Sequence, residues 1–152
     1  MLPINVGTLQ DYVDMGRLKP PGSNDPPLTM KDLVDAGITK NSSIKHGIKL
    51  LAKGKDRVRT PLKIETSRAS TEAINAIESV GGEITTVHYN RLALRVLLKP
   101  EKFDIIPKRA RPPTKLIPYY TNYKNRGYLS PELQFKMLKE RLKVSPGIPK
   151  EE

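Results

Sequence analysis

The sequence predicts an α/β fold: two strands, a helix and a third strand form a small core, behind two short helices and ahead of a long, mostly extended C-terminal extension ending in a helix. Three observations carry this. Lys45 to Lys55 alternates cationic and apolar side chains and turns at Gly54, the pattern of a strand with one basic and one buried face. Residues 67–82 place Ala69, Ala73, Ala76, Ile77 and Val80 at helical spacing and stop at Gly81-Gly82, and Glu83 to Val87 alternates directly afterwards. From Pro100 onward, seven prolines by residue 146 break regular periodicity.

Taken in order, Thr8 sits where an N-cap would open a short helix, with Asp11 three positions on and Gly16 as its stop. Residues 20–27 hold four prolines and read as an exposed loop. A second short helix spans Thr29 to Ala36, with Leu33 and Val34 inward and Gly37 beyond it. Both helices are acidic, so they are expected away from any polyanion. The strand Ile44 to Leu51 and a second at Leu62 to Glu65 precede the central helix, for which Ser67 is the expected cap. The last helix is expected near 131–142, with Ser130 as cap and Pro131 in its first turn, and the tail after Val144 is expected to be disordered. The expected division is a globular core at 1–98 and a Pro, Tyr and basic extension at 99–152.

The net charge of +11 arises from 27 Lys and Arg against 16 Asp and Glu, which makes polyanions the natural partner class. Residues 41–68 and 99–128 each net plus six, whereas 1–40 and 69–98 each net minus one. Such clustering suits phosphate neutralisation with counterion release. The absence of cysteine excludes disulfides, thiolate metal sites and a cysteine nucleophile, and fits a reducing compartment. The longest apolar run, 92–98, is interrupted by Arg95 and too short to span a bilayer. Residues 1–16 lack Lys and Arg, so no secretory or transit signal is expected there.

His46 and His88 are the only histidines, and nothing around either forms a nucleophile, base and orienter set. A non-catalytic protein is therefore expected, with no cofactor, no metal and no small-molecule substrate. Lys45, Lys49, Lys53, Lys55, Arg57, Arg59 and Lys63 all carry odd numbers, so an extended backbone would send most of them to one side. A solvated basic face is the plain alternative, but a face basic throughout repels itself unless a polyanion meets it. His46, within this segment, either meets a phosphate or base or is an ordinary half-exposed strand residue. Further on, Lys108, Arg109, Arg111 and Lys115 precede Tyr119, Tyr120, Tyr123, Lys124 and Arg126. Cations that track phosphates beside rings that stack on unpaired bases suit irregular RNA. The same tyrosines could instead pack the extension onto the body of the chain or a neighbouring protein. Neither segment carries base-specific readout.

Over Ile48 to Gly54, Leu62 to Ile64 and Ser70 to Gly82, with Ile4 to Leu9 as an opening strand and turn, the chain resembles the C-terminal domain of the large-subunit ribosomal protein L-fifteen family, across about residues 4–88. After Leu98, Lys115 to Asn122 and Arg126 to Leu129 resemble the extension of its mitochondrial branch. The resemblance implies an irregular ββα superhelical core and a structural role in the mitochondrial large ribosomal subunit, in the matrix. The partners it implies are large-subunit rRNA and neighbouring mitochondrial ribosomal proteins. The family's long Gly, Arg and Lys-rich N-terminal arm has no counterpart in residues 1–152, so the expected contact falls on the basic strand and the extension. A free-standing RNA-binding regulator or an assembly factor is the alternative role.

Overall fold

A computed structural model describes residues 1–22 and 25–144, so the expected disordered tail lies outside the described residues. In chain order the elements are β1 (Leu2–Asn5), α1 (Val6–Asp14), α2 (Met30–Asp35), β2 (Ile48–Leu51), β3 (Lys63–Thr66), β4 (Arg68–Ala69), α3 (Thr71–Ser79), β5 (Glu83–Thr86), α4 (Arg91–Leu98), α5 (Ile117–Thr121) and α6 (Pro131–Val144). The strands form two parallel sheets, one ordered β1-β2-β4 and the other β3-β5.

Register explains the core. Ile4 lies opposite Leu50, and Leu50 opposite Ala69, so these residues share the buried face of the first sheet with Ile48. Pro3, Lys49 and Arg68 share the other face. In the second sheet Ile64 opposes Ile84, both buried. Ala73, Ile74 and Ile77 of α3, Leu9 of α1 and Leu33 of α2 complete one apolar cluster with these strands.

The helices follow their caps, with shifts that have local causes. At α2, the Thr29 amide donates to Asp32 Oδ2 at 2.8 Å, and Gly37 closes the element with φ +90°. The first helix begins at Val6, two residues before Thr8, because β1 runs directly into it and the Gly7 amide donates to Lys53 O at 3.1 Å. The central helix is capped by Ser70, whose Oγ accepts from the Ala73 amide at 3.2 Å. Ser67 is instead buried between β3 and β4, and Ala69 belongs to β4. The expected strand Ile44 to Leu51 shortens to Ile48–Leu51: a 3-10 turn at Asn41–Ser43 precedes it, and Gly47 holds φ +105°. The apolar run 92–98 is the helix α4, capped by Asn90, whose Oδ1 accepts from the Ala93 amide at 2.8 Å.

The extension turns back onto the core. Thr86 donates its amide to Arg126 O and accepts from the Tyr128 amide, both at 2.9 Å, continuing the pairing of β5. Tyr120 is fully buried and its hydroxyl donates to Ser67 O at 2.8 Å. The chain passes so close at Gly127 that a Cβ there would collide with the Tyr120 backbone. Arg126 holds φ +53°, a region that side chains rarely adopt, and offsets that strain with a bidentate pair to Glu78 at 2.6 and 2.9 Å.

Two outcomes follow from this packing. Burial pushes the Tyr120 phenol up to about 12, against the opposing pull of nearby Arg68. Since a free phenol titrates near 10, the stability this confers is complete below about pH 10 and is lost as pH rises through 12. Tyr120→Phe should cost about 1–2 kcal/mol at neutral pH by stranding Ser67 O, and should shrink the alkaline loss measured by denaturant titration; an unchanged pH profile would count against it. Gly127→Ala should destabilise by about 1–3 kcal/mol through overpacking, read from the same titrations at neutral pH.

Candidate nucleic-acid interface

The basic segment does not run as one extended face. Lys49 points outward beside Arg68 of the neighbouring strand, and is followed along the chain by exposed Lys53 and Lys55 at the turn made by left-handed Gly54, φ +81°. A 3-10 turn at Lys55–Arg57 then redirects the chain. Arg57 and Arg59 consequently reach α1, pairing with Asp11 at 3.3 Å and Asp14 at 2.7 Å. Gln10, buried, holds that loop in place: its Oε1 accepts from the amides of Arg59 and Thr60 at 3.1 and 3.0 Å. The acidic first helix therefore lies against part of the basic segment and partly neutralises it. Lys63, on β3, is half-buried opposite Glu83.

Lys45 and His46 instead border an open groove of about 1150 Å³. Its far wall is α4 and the turn after it, which contribute Arg91, Arg95, Lys99 and Lys102. No Asp or Glu lines it among the described residues. His88, forty-two positions from His46, also lines it, as do Ser67 and the buried Tyr120 at the base of the extension. Burial lowers the His88 pKa, which favours the neutral imidazole. The groove cations of α4 were legible as a four-residue repeat, 91, 95 and 99, on one helical face. The block count for 69–98 concealed them, because its acids lie elsewhere: Glu78 pairs with Arg126, and Glu83 with Lys136 at 2.7 Å.

The tyrosines of the extension divide by environment. Tyr120 is enclosed by edge contacts to His88, Tyr119 and Tyr128, with ring centroids 5.6, 5.1 and 5.8 Å away, so no face is open to a base. Tyr119 is half-buried and carries the Arg68 guanidinium 4.9 Å from its centroid. Tyr123 is exposed, with Arg126 over one face at 4.2 Å. Arg109 lies over Tyr89 at 5.0 Å. It also bears on Glu65, whose pKa is raised by burial and pulled back by Arg109 and Lys63. Lys108, Arg111, Lys115 and Lys124 are exposed and have no acidic partner among the described residues.

A family profile that groups the ribosomal proteins 50S-L15 and 50S-L18e with their 60S counterpart matches residues 3–85. Among curated relatives, the large ribosomal subunit protein uL15m of Schizosaccharomyces pombe is 39% identical over 130 residues, 85% of this chain and 49% of its own length. Its Danio rerio namesake is 36% identical over 134 residues, 84% of this chain and 44% of its own. The large ribosomal subunit protein uL15 of Methylobacterium sp. is 38% identical over 82 residues, 54% of this chain and 46% of its own. The chain thus spans about half the length of the curated relatives it matches, and its likeness to the uL15m proteins continues well beyond the stretch shared with the bacterial one. With a profile covering more than half of its residues and these identities beside the parallel two-sheet core, the chain belongs to the ribosomal protein family of 50S-L15, 50S-L18e and their 60S counterpart.

Proposed function

We propose that this chain is a structural constituent of the mitochondrial large ribosomal subunit, in the matrix, where it binds large-subunit rRNA and touches neighbouring mitochondrial ribosomal proteins. The observation that carries the reading is the sorting of charge: four ion pairs join acids to Arg57, Arg59, Arg126 and Lys136, and the remaining exposed cations have no acidic partner among the described residues. Cations held open on a folded body neutralise phosphates where RNA segments approach, which lowers the cost of holding an RNA fold. The names of the uL15m relatives support the assignment to a large subunit.

In this reading Lys45, Lys49, Lys53, Lys55 and the extension cations Lys108, Arg111, Lys115 and Lys124 meet phosphate directly, with Tyr123 free to stack. Arg57, Arg59 and Arg126 act mainly as structural cations, and Tyr120 positions the extension.

Replacing Lys49, Lys53 and Lys55 by Gln should reduce the slope of log affinity against log salt by about 2–3 for RNA, close to a full phosphate equivalent per residue, whereas Arg57→Gln with Arg59→Gln should change it by less than about 0.5 for the two together. Equal effects from both sets would mean that the ion pairs to α1 do not hold in solution. Native protein should migrate with the large subunit in a high-salt gradient; migration at the top would favour a free regulator instead.

A further inference from the structure

Building on the RNA reading, we infer that the groove between α4 and the Asn41–His46 segment receives unpaired RNA, taking one base turned out of its stack together with the phosphates on either side. The groove's two walls differ in chemistry in the way such a ligand requires.

On the α4 side, Arg91, Arg95 and Lys99 recur every four residues, a rise of about 6 Å per step, so successive phosphates of one strand meet successive cations. Lys45 faces the same space from the other side. The volume, about 1150 Å³, exceeds what phosphate alone would fill and lies just above the ~300–1,000 Å³ range of small-ligand pockets. A duplex shows base edges and 2′-hydroxyls in its shallow minor groove but keeps its bases stacked, so it cannot place a base in such a groove.

Asn41, on the groove wall, carries the second signal. Its Oδ1 is closed to solvent and has no hydrogen-bond partner, an arrangement that costs stability, so a turn of this half-buried side chain toward a donor in the groove is favoured. Phosphate and ionised carboxylate oxygens only accept, so they cannot satisfy it. Base N–H groups and the ribose 2′-hydroxyl donate. Neutral His88 adds one donor and one acceptor nearby on the lining, and the exposed guanidinium of Arg91 and imidazole of His46 offer flat surfaces for the base. Tyr89 contributes less, because Arg109 already covers its ring.

The test uses the full chain with three ligands: short oligouridine, a blunt RNA duplex and a polyglutamate peptide. Asn41→Ala should weaken oligouridine binding about tenfold, the value of one lost hydrogen bond, with the salt slope unchanged and no loss of thermal stability. Arg91→Gln with Arg95→Gln should lower the oligouridine salt slope by about 1.4 and weaken the single strand more than the duplex. Equal losses on both RNAs would overturn the groove assignment while leaving the broader RNA reading intact. Polyglutamate binding that falls on Asn41→Ala as oligouridine binding does would overturn it in favour of an acidic protein segment. Failure of the wild-type chain to bind either RNA would overturn the RNA reading itself, and this inference with it.

Discussion

The placement of Tyr120 is the constraint on which the rest of the molecule depends. A buried phenol must give its hydrogen to something, and here the acceptor is the carbonyl of Ser67, at the junction of the two small sheets. That bond joins the extension to the core across 53 positions of sequence. Neighbouring contacts act with it: the Thr86 bridge to Gly127, the close pass of Gly127 over the Tyr120 backbone, and the Arg126 pair to Glu78. The long loop thereby closed costs entropy that grows only slowly with its length, so a few well-made contacts suffice to hold it.

Electrostatic organisation follows from that closure. Returning to the core, the extension brings Arg126 to Glu78 and α6 brings Lys136 to Glu83, which neutralises acids of the middle block. At the other end α1 brings Asp11 and Asp14 to Arg57 and Arg59. The exposed pairs, Arg57–Asp11, Arg59–Asp14 and Lys136–Glu83, contribute little stability individually. Their larger effect is spatial, since they determine which cations stay unpaired. Tyr120 and Leu116 line the groove beside the α4 cations, so the contact that fixes the extension also shapes the candidate RNA site.

Much of this was legible in the sequence where the signal is local. Thr29 with Asp32, Gly37, the Gly81-Gly82 stop and the alternation of β5 all mark elements that the structure contains, and the helix expected at 131–142 is α6. Local rules failed where two residues compete for one role. Ser67 and Ser70 both suit a cap, and only burial between β3 and β4 decides for Ser70. Tyr119 and Tyr120 are chemically alike and adjacent, so nothing local says which one enters the core. The odd-numbered cations assumed an unbroken strand, whereas the left-handed Gly54 and the following 3-10 turn swing Arg57 and Arg59 toward the first helix, 46 positions back in the case of Arg57 and Asp11. Cap-based reading also placed the first helix at Thr8, because the parallel pairing of β1 with β2 that starts it earlier is a contact between distant segments.

Amide hydrogen exchange on the full chain tests the central claim most directly, namely that the extension is part of the folded body. The Tyr128 amide, bonded to Thr86 O, and the Thr86 amide, bonded to Arg126 O, should exchange as slowly as the Val87 amide bonded to Thr66 O within the core. Exchange of Tyr128 and Thr86 near the rates of an unstructured chain, with Val87 still protected, would contradict the account.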